Sequence, residues 1–426
     1  MKNNEITLRK FPFPFRSALT ICSDIDSTDT LKEFLTIQEF LNTKNKTVVG
    51  TGVGLEIGNS FYPKNKNPHK FALLSANPHD KSVLLDLINL GYVDCIHSFN
   101  SAKDRSDIKE IVAELKKNNC RFSVWVNHAD VKNNIGKCNR CYGDKKDSPY
   151  FHTDISIRDL GYLFVWTDIV TGIIGQGTPL LPSSLFASVD RRHLFSSMYH
   201  VVLKEICKFI AAPFVNRYTN RRKNELIYPY VLDDGQRLFN FARCDTFYKG
   251  IGPGATAAGL ADNLRPEVLN RLMRVQGYMI IYCHIGKNDG YPYLPEQTCK
   301  ALRLLEQEHR NGNIFVTTTA RLLTYHVNNK YLQWRVEDRK TKKLIQIDNI
   351  NDPVRGSFVP TIHDLAGITF YTDSPDNTDI HIAGKKVEKV ERNDIDFIGK
   401  PSIMIPWEPL PKLDNKMKEY KHNGFF

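Results

Sequence analysis

Residues 18–28, reading ALTICSDIDST, constrain the fold more than any other part of the chain. The apolar beginning of this segment is typical of a buried parallel strand, and the strand stops at Asp24 and Asp26. Thr30 and Glu33 follow with the spacing of a capping box, which predicts the first turn of a helix. Two carboxylates one residue apart at a buried strand end repel each other and are costly to desolvate. Either a cation or a catalytic role compensates for that cost, or the two residues only turn the chain and cap the helix.

Predicted strands and helices alternate from residue 18 to about residue 330, which indicates a parallel sheet with right-handed crossovers. Strands are predicted at 18–22, 53–57, 93–96, 122–126, 163–166, 279–283 and 314–316. Helices are predicted at 31–41, 80–90, 107–117, 155–160, 190–211, 295–309 and 318–328. About seven or eight such units in this length favour an α/β fold of the β/α barrel type over an open sheet.

Beyond residue 330 the pattern changes to short alternating segments separated by turns, at 331–336, 343–347, 368–371, 380–382 and 402–405. This pattern predicts a small antiparallel β module. We therefore expect two domains, a β/α barrel over 1–330 and a β-sandwich-like accessory module over 331–426.

The chain carries a formal net charge of +11, and this surplus of positive charge is confined to one part of the chain. Residues 331–426 contain fifteen Lys and Arg and fifteen Asp and Glu, so the whole surplus lies in residues 1–330. Its densest basic run is at 217–223, which is either a solvated loop or a site of attraction for an anionic or nucleotide-linked sugar. The sequence shows no nucleic-acid-binding module, and we expect no nucleic-acid partner.

Several features predict a cytoplasmic protein. No apolar run approaches the ~20 residues of a membrane span, and the first residues lack the apolar stretch of a signal peptide. The nine cysteines lie among buried-looking segments such as those around Cys22, Cys95, Cys207 and Cys283. That distribution fits reduced thiols better than a disulfide framework.

Polar residues end or directly follow most of the predicted strands, and in a β/α barrel that edge carries the active site. These residues are Asp24, Asp26, Glu56, His97, Asn127, His128, Asp168 and His284. Each histidine alone also fits a buried residue that only bonds to the backbone. Glu56 and Asp168 carry the weakest signal of the set.

Three of these segments resemble motifs of the polysaccharide deacetylase family (carbohydrate esterase family 4), of the type found in bacterial surface-polysaccharide gene clusters. Residues 20–26, TICSDID, are similar to the family's aspartate pair, and residues 97–99, HSF, to its metal-binding histidine motif. Residues 281–284, IYCH, are similar to its Leu-x-His motif. The resemblance implies a distorted (β/α)7 barrel and a divalent metal, usually zinc in that family, that polarises an acetamide carbonyl and activates water.

Carried over by position, the resemblance implies that Asp24 is the general base and Asp26 a metal ligand. It implies that His97 is a second ligand and that His284 is the acid that protonates the departing amine. Contacts to the substrate are expected from Asn127, Trp125 and Arg243.

Two departures from the family pattern bear on the metal. Ile25 separates the two aspartates, which are adjacent in the family, so their roles could be exchanged. Ser101 stands where the family has its second histidine. Either His128 from the neighbouring strand completes the metal site, or the metal is absent.

Two further motifs have structural alternatives. Cys138 and Cys141 form a lone C-x2-C pair, which needs partners such as Cys120 or His152 to hold a structural zinc. The glycine-rich residues 250–254 lack the Lys-Ser/Thr of a phosphate loop and are better explained as a flexible lid.

The sequence thus predicts a metal-dependent hydrolase that removes an N-acyl group, such as N-acetyl, from an amino sugar in surface-polysaccharide biosynthesis. One alternative is a metal-independent glycoside hydrolase that uses Asp24 with Asp26 or Glu56. Another is a non-catalytic barrel that binds a glycan or a partner protein. The sequence does not name the sugar, its free, nucleotide-linked or lipid-linked form, or the oligomeric state.

Overall fold

The computed structural model describes most of the chain. The described residues are 6–25, 28–64, 72–74, 76–128, 131–138, 140–180, 182–186, 188–214, 224–249, 251–287, 290–339 and 342–425. Asp26 and the basic run at 217–223 lie outside these ranges.

The regular elements follow in chain order. The strands are β1 (Thr7–Leu8), β2 (Ser17–Asp24), β3 (Lys46–Thr47), β4 (Gly50–Thr51), β5 (Gly58–Phe61), β6 (Val93–His97), β7 (Val124–Val126), β8 (Phe164–Trp166), β9 (Val170–Thr171), β10 (Ile227–Val231), β11 (Arg237–Phe241), β12 (Arg243–Cys244), β13 (Tyr278–Cys283), β14 (Ile314–Val316), β15 (Leu332–Arg339), β16 (Lys342–Asp352), β17 (Gly356–Phe358), β18 (Thr369–Tyr371), β19 (Thr378–Ile382), β20 (Lys385–Lys386), β21 (Glu391–Asn393) and β22 (Ser402–Met404). The helices are α1 (Leu31–Asn42), α2 (Pro78–Asn89), α3 (Arg105–Lys117), α4 (Thr153–Leu160), α5 (Pro182–Phe186), α6 (Leu194–Ser197), α7 (Lys204–Ala211), α8 (Ile251–Gly254), α9 (Ala257–Asn263), α10 (Pro266–Val275), α11 (Glu296–Arg310), α12 (Thr319–Lys330) and α13 (Asp414–His422).

The main sheet has the strand order β10-β11-β8-β7-β6-β5-β2-β13. The pairs from β11 through β8, β7, β6 and β5 to β2 are parallel, and β10 joins the edge as an antiparallel hairpin with β11. Helices α1 to α4 connect consecutive parallel strands, so the chain has the mixed α/β architecture that its alternating pattern predicts. The specific (β/α)7 barrel stays a prediction.

Strand β2 is the centre of this arrangement. All eight of its residues are buried, and Asp24 at its end pairs in register with Ser60 of β5. Helix α1 begins where the capping box predicts, because the side chain of Thr30 accepts a hydrogen bond of 3.2 Å from the backbone N–H of Glu33.

The predicted strand at 53–57 is wrong by several residues, since β5 covers Gly58–Phe61. The apolar residues of this stretch, Val53, Leu55 and Ile57, have another reason: they are buried in a segment that bonds to the end of α1. The N–H of Val53 bonds to the carbonyl of Phe40 at 2.7 Å, and the N–H of Ile57 bonds to Oδ1 of Asn42 at 2.8 Å.

The predicted long helix at 190–211 is helical but irregular. A 3₁₀ turn at Arg191–His193 leads into α6, a π-helical segment at Met198–Leu203 follows, and α7 completes the run. The hairpin of β10 and β11 and helices α9 and α10 were not predicted in the neighbouring stretch. Within the described ranges, no helix combines the length and the apolar character that crossing a bilayer requires.

The chain divides into two compact units, and the larger comprises residues 19–307, 316–320 and 410–426. Its hydrophobic core contains Phe99, Trp125 and Ile108, all with essentially no exposed surface. The last helix, α13, belongs to this unit and contributes Met417 and Tyr420 to that core.

The smaller unit comprises residues 1–18, 308–315 and 321–409, and it is mainly β. One sheet has the order β1-β18-β22-β21, and the other has β15-β16-β19-β20 with β17 beside β16. Arg9 fixes the N-terminal segment in this unit through a buried ion pair of 2.9 Å with Asp396. A domain boundary near residue 330 stays a prediction.

The sequence pattern predicted an antiparallel module, and the module is not purely antiparallel. Strands β16 and β19 pair in parallel, with Ile345 opposite Ile380. Between β16 and β19 the chain passes through β18, which belongs to the other sheet. Strand β19 therefore lies beside β16 in the same direction, instead of turning back on it as a hairpin.

Candidate functional site

Asp24 is the residue around which the candidate site is built. It ends β2, and its side chain is only 1% exposed. Ser60 donates a hydrogen bond from Oγ to Asp24 Oδ1, and Tyr282 donates one of 2.5 Å from Oη to Oδ2. A buried carboxylate held by two hydroxyl donors has a fixed orientation, which is what a reacting or ligating group needs.

The ionisation of Asp24 is set by opposing effects. Burial by itself raises the pKa of this carboxyl group, but the nearby His97, His284 and Arg243 outweigh burial and hold its pKa below the ordinary value. Asp24 is therefore a carboxylate throughout the physiological pH range.

His97 lies at the end of β6, directly beside Asp24. Its Nδ1 donates a hydrogen bond of 3.2 Å to the carbonyl of Val126, because a carbonyl can only accept. Its Nε2 lies 2.9 Å from Asp24 Oδ2, yet it lacks the alignment of a hydrogen bond to any described residue. The two side chains therefore place a carboxylate oxygen and an imidazole nitrogen side by side in a buried position, and the charge of His97 favours the ionised form of Asp24.

His284 follows β13 and is linked to Asp24 through Tyr282. Its Nε2 lies 3.6 Å from Asp24 Oδ2 and 3.0 Å from Tyr282 Oη, and its Nδ1 donates 3.1 Å to the carbonyl of Ala255. The His284 side chain is 13% exposed, so it has more access to solvent than Asp24 at 1% or His97 at 2%.

His128 lies beside His97 rather than beside Asp24. The two imidazole rings meet edge to face, with centroids 4.8 Å apart, and the ring of Tyr62 stands 5.2 Å from that of His128. Burial, followed by the charge of His97, lowers the pKa of His128 to about 4. His128 is therefore neutral at pH 7, and its Nδ1 has no hydrogen-bond partner among the described residues.

Arg243 on β12 is a buried cation next to the same cluster. Its guanidinium carbon lies 4.0 Å from the centre of the Trp166 ring and 4.3 Å from that of Tyr282. The side chain is 1% exposed, and none of its three nitrogens has a hydrogen-bond partner in the part of the chain that the structure describes. Its positive charge acts on Asp24, whereas its prediction as a substrate contact stays a prediction.

Asn127 and Trp125, also predicted to contact the substrate, hold the loop that follows β7. Asn127 Oδ1 accepts hydrogen bonds from Trp125 Nε1 at 2.8 Å and from the N–H of Ile135 at 3.1 Å. Trp125 is completely buried between Phe99 and Tyr162. Their role as substrate contacts stays a prediction.

The structure thus brings Asp24, His97 and His284 together and puts His128 next to His97. Asp26, the predicted metal ligand, lies outside the described residues. Within the described ranges, no cluster of three or more His, Cys, Asp or Glu side chains is arranged to hold a metal ion. The pair Asp24 and His97 has the carboxylate and imidazole donors that zinc uses, and the unaligned Nε2 of His97 fits a divalent cation.

Two weaker predictions have structural explanations. Glu56 precedes β5 instead of ending it, and it accepts hydrogen bonds from Thr317 Oγ1 at 2.6 Å and from the N–H of Leu410 at 2.7 Å. Asp168 follows β8 with a left-handed φ of 61°, a conformation that Asp tolerates in turns.

The cysteines are mostly free and buried, as predicted, with two corrections. Cys138 and Cys141 are joined to each other in a disulfide, and Cys207 is exposed. His152, considered as a zinc partner, uses Nδ1 toward Ser156 Oγ and Nε2 toward the Asn133 carbonyl, each at 2.8 Å. Of the glycine-rich segment, Gly250 lies outside the described residues, and Ile251–Gly254 forms the short helix α8.

Ser60, Tyr62 and Tyr282 are site residues that the sequence analysis missed. Tyr282 is two residues before His284, and side chains two apart on a strand point to the same face, so this signal was present. Ser60 lies on β5 and Tyr62 directly follows it, and both were missed because this strand was predicted too early in the chain.

No model of a known protein family matches the chain, and no curated protein matches it.

Proposed function

We propose that the protein is a carbohydrate amidohydrolase that removes an N-acyl group from an amino sugar on a (β/α)7-type barrel. The single observation that carries the proposal is the shared contact at Asp24. Its carboxylate lies within 2.9 Å of His97 Nε2 and within 3.6 Å of His284 Nε2, and each of these three residues comes from a segment that resembles a deacetylase motif. We further propose a cytoplasmic role in surface-polysaccharide assembly, with a free, nucleotide-linked or lipid-linked sugar as substrate.

A divalent metal such as zinc, when bound, polarises the acyl carbonyl and lowers the pKa of a bound water. His97 and one carboxylate of the pair Asp24 and Asp26 would hold it. His128 is the best replacement for the missing second histidine, because its lowered pKa keeps it neutral and its ring lies next to that of His97.

The acidity of Asp24 bears on which of the two aspartates is the base and which is the metal ligand. A general base works best with a pKa near the operating pH, whereas a ligand must be ionised. The pKa of Asp24 is held below its ordinary value, which supports the exchanged assignment with Asp24 as ligand and Asp26 as base.

His284 supplies the proton for the departing amine. Its Nδ1 is fixed by the carbonyl of Ala255, so Nε2 is the atom that faces Tyr282 and the reacting centre. Tyr282 orients both His284 and Asp24 through a single hydroxyl.

The test is acetate release from N-acetylglucosamine oligosaccharides and from UDP-N-acetylglucosamine, together with the metal content of the purified protein. We expect Asp24→Asn and Asp26→Asn each to abolish turnover. In the exchanged assignment Asp24→Asn also loses metal, while Asp26→Asn keeps it. The reverse result restores Asp24 as base.

The histidines give three further outcomes in the same assays. His97→Ala and His128→Ala should both lose metal, whereas His284→Ala should slow amine departure with metal retained. Asp168→Asn, at another strand end, is the matched control and should leave both measurements unchanged. A protein that holds no metal and an Asp24→Asn variant with unchanged activity on sugars would overturn the proposal in favour of a glycosidase or a binding protein.

A further inference from the structure

The helical run from Arg191 to Ala211, together with the turn that follows it to Phe214, exposes a continuous apolar stripe. The side chains of the stripe are 40–90% exposed, and successive members are three or four residues apart, which places them on one face. They are Phe195, Tyr199, Leu203, Ile206, Ile210 and Phe214. A stripe of this size on the surface of a protein marks a site of interaction.

The opposite face of the segment fixes its orientation. Val201 and Val202 are buried, and the largely buried carboxylate of Glu205 accepts hydrogen bonds from the N–H of Gly172 at 3.2 Å and from Lys208 Nζ at 2.8 Å. Lys208 Nζ also donates 3.0 Å to the carbonyl of Val170. The stripe is therefore held outward by contacts that a rotated helix would lose.

The charges around the stripe are almost all positive. Arg191 and Lys204 are exposed on this segment, while Arg192 is paired with Asp190 and Asp262. Glu205 is the one acidic residue between 191 and 214, and it is paired with Lys208.

We propose that this segment binds the surface of an anionic lipid membrane, with the stripe in the acyl region and the basic residues at the headgroups. An apolar face bordered by Lys and Arg is the arrangement of helices that lie in a membrane interface. A second copy of the chain fits less well, because two copies meeting through this face bring their basic residues together. The inference is independent of the proposed function.

The first experiment is co-sedimentation of the full chain with vesicles of phosphatidylcholine containing about 30% phosphatidylglycerol, and with pure phosphatidylcholine. We expect binding to the anionic vesicles and at least about tenfold weaker binding to the neutral ones. The double substitution Phe195→Ser and Ile210→Ser should reduce binding to the anionic vesicles by at least about tenfold. The matched control is Val359→Ser with Ile395→Ser, two apolar residues that are 61% and 68% exposed elsewhere.

Two lysine substitutions and a fluorescent label complete the design. Lys204→Gln should weaken binding to anionic vesicles, and Lys109→Gln, an exposed lysine on α3, should not. Cys207 is exposed on the same segment, whereas the other free cysteines are buried or half-buried, so an environment-sensitive dye on Cys207 should shift to the blue with anionic vesicles. Unchanged melting temperatures show that the variants fold.

Two results would overturn the proposal. One is the absence of binding to either vesicle. The other is a dimer in sedimentation velocity without lipid that the Phe195→Ser and Ile210→Ser substitutions dissociate, which would assign the stripe to a second copy.

Discussion

Asp94 shows how one buried carboxyl group affects the stability of the α/β unit. It lies on β6, its Oδ2 accepts a hydrogen bond of 2.7 Å from the N–H of Ala320, and burial raises its pKa to about 6. The folded state therefore binds this proton more tightly than the unfolded state, whose pKa is 3.8. The resulting stability is complete below pH 3.8 and is lost as the pH rises through about 6.

Asp94→Asn removes the ionisation and keeps an oxygen for Ala320. We expect the variant to gain roughly 3 kcal/mol in free energy of unfolding above about pH 7 and nothing below about pH 4. Denaturant titrations at several pH values measure this. Asp373→Asn, at an exposed position, is the control, and an equal gain at all pH values would contradict the explanation.

At the scale of single residues, the expectation that functional side chains stand at strand ends located Asp24, His97 and His284, because each of them ends or directly follows a predicted strand. It did not reveal which of their atoms meet. That depends on the hydroxyl groups of Ser60 and Tyr282, and these become neighbours of Asp24 only through the pairing of β2 with its adjacent strands.

At the scale of secondary-structure elements, we expect α13 to contribute more to stability than its sequence suggests. Met417 has no exposed surface and lies in the core of the larger unit. Met417→Ala should lower the free energy of unfolding by about 2–5 kcal/mol, because it leaves a cavity in that core. Lys418→Ala on the exposed side of the helix should change it by less than about 0.5 kcal/mol. Equal effects of the two substitutions would show that α13 does not pack as described.

The elements that sequence reasoning predicted well have long periodic patterns and clear caps, as α1 and α3 do. The elements it missed lack these signals. Helix α13 is mostly charged and buries only a few side chains, so its sequence looks like a polar tail. The hairpin of β10 and β11 is specified by pairing with β8, a partner more than sixty residues earlier in the chain.

For the whole molecule, the positive surplus of residues 1–330 predicts a dependence on salt. If the substrate or its carrier is anionic, kcat/KM should fall as ionic strength rises, because exposed charges act over only ~10 Å at 0.1 M salt. A neutral N-acetylglucosamine oligosaccharide is the control for UDP-N-acetylglucosamine. Identical salt dependence for the two substrates would reduce the surplus to a feature of solubility.

Dissolved salt does not screen every charge of this protein equally. The guanidinium of Arg243 is enclosed by the rings of Trp166 and Tyr282, so mobile counter-ions cannot approach it as they approach a surface lysine. The attraction between this guanidinium and the Asp24 carboxylate therefore changes little with ionic strength. The protein thus separates two kinds of electrostatics: an outer kind that responds to its ionic surroundings, and an inner kind, the attraction between Arg243 and Asp24, that salt weakens much less.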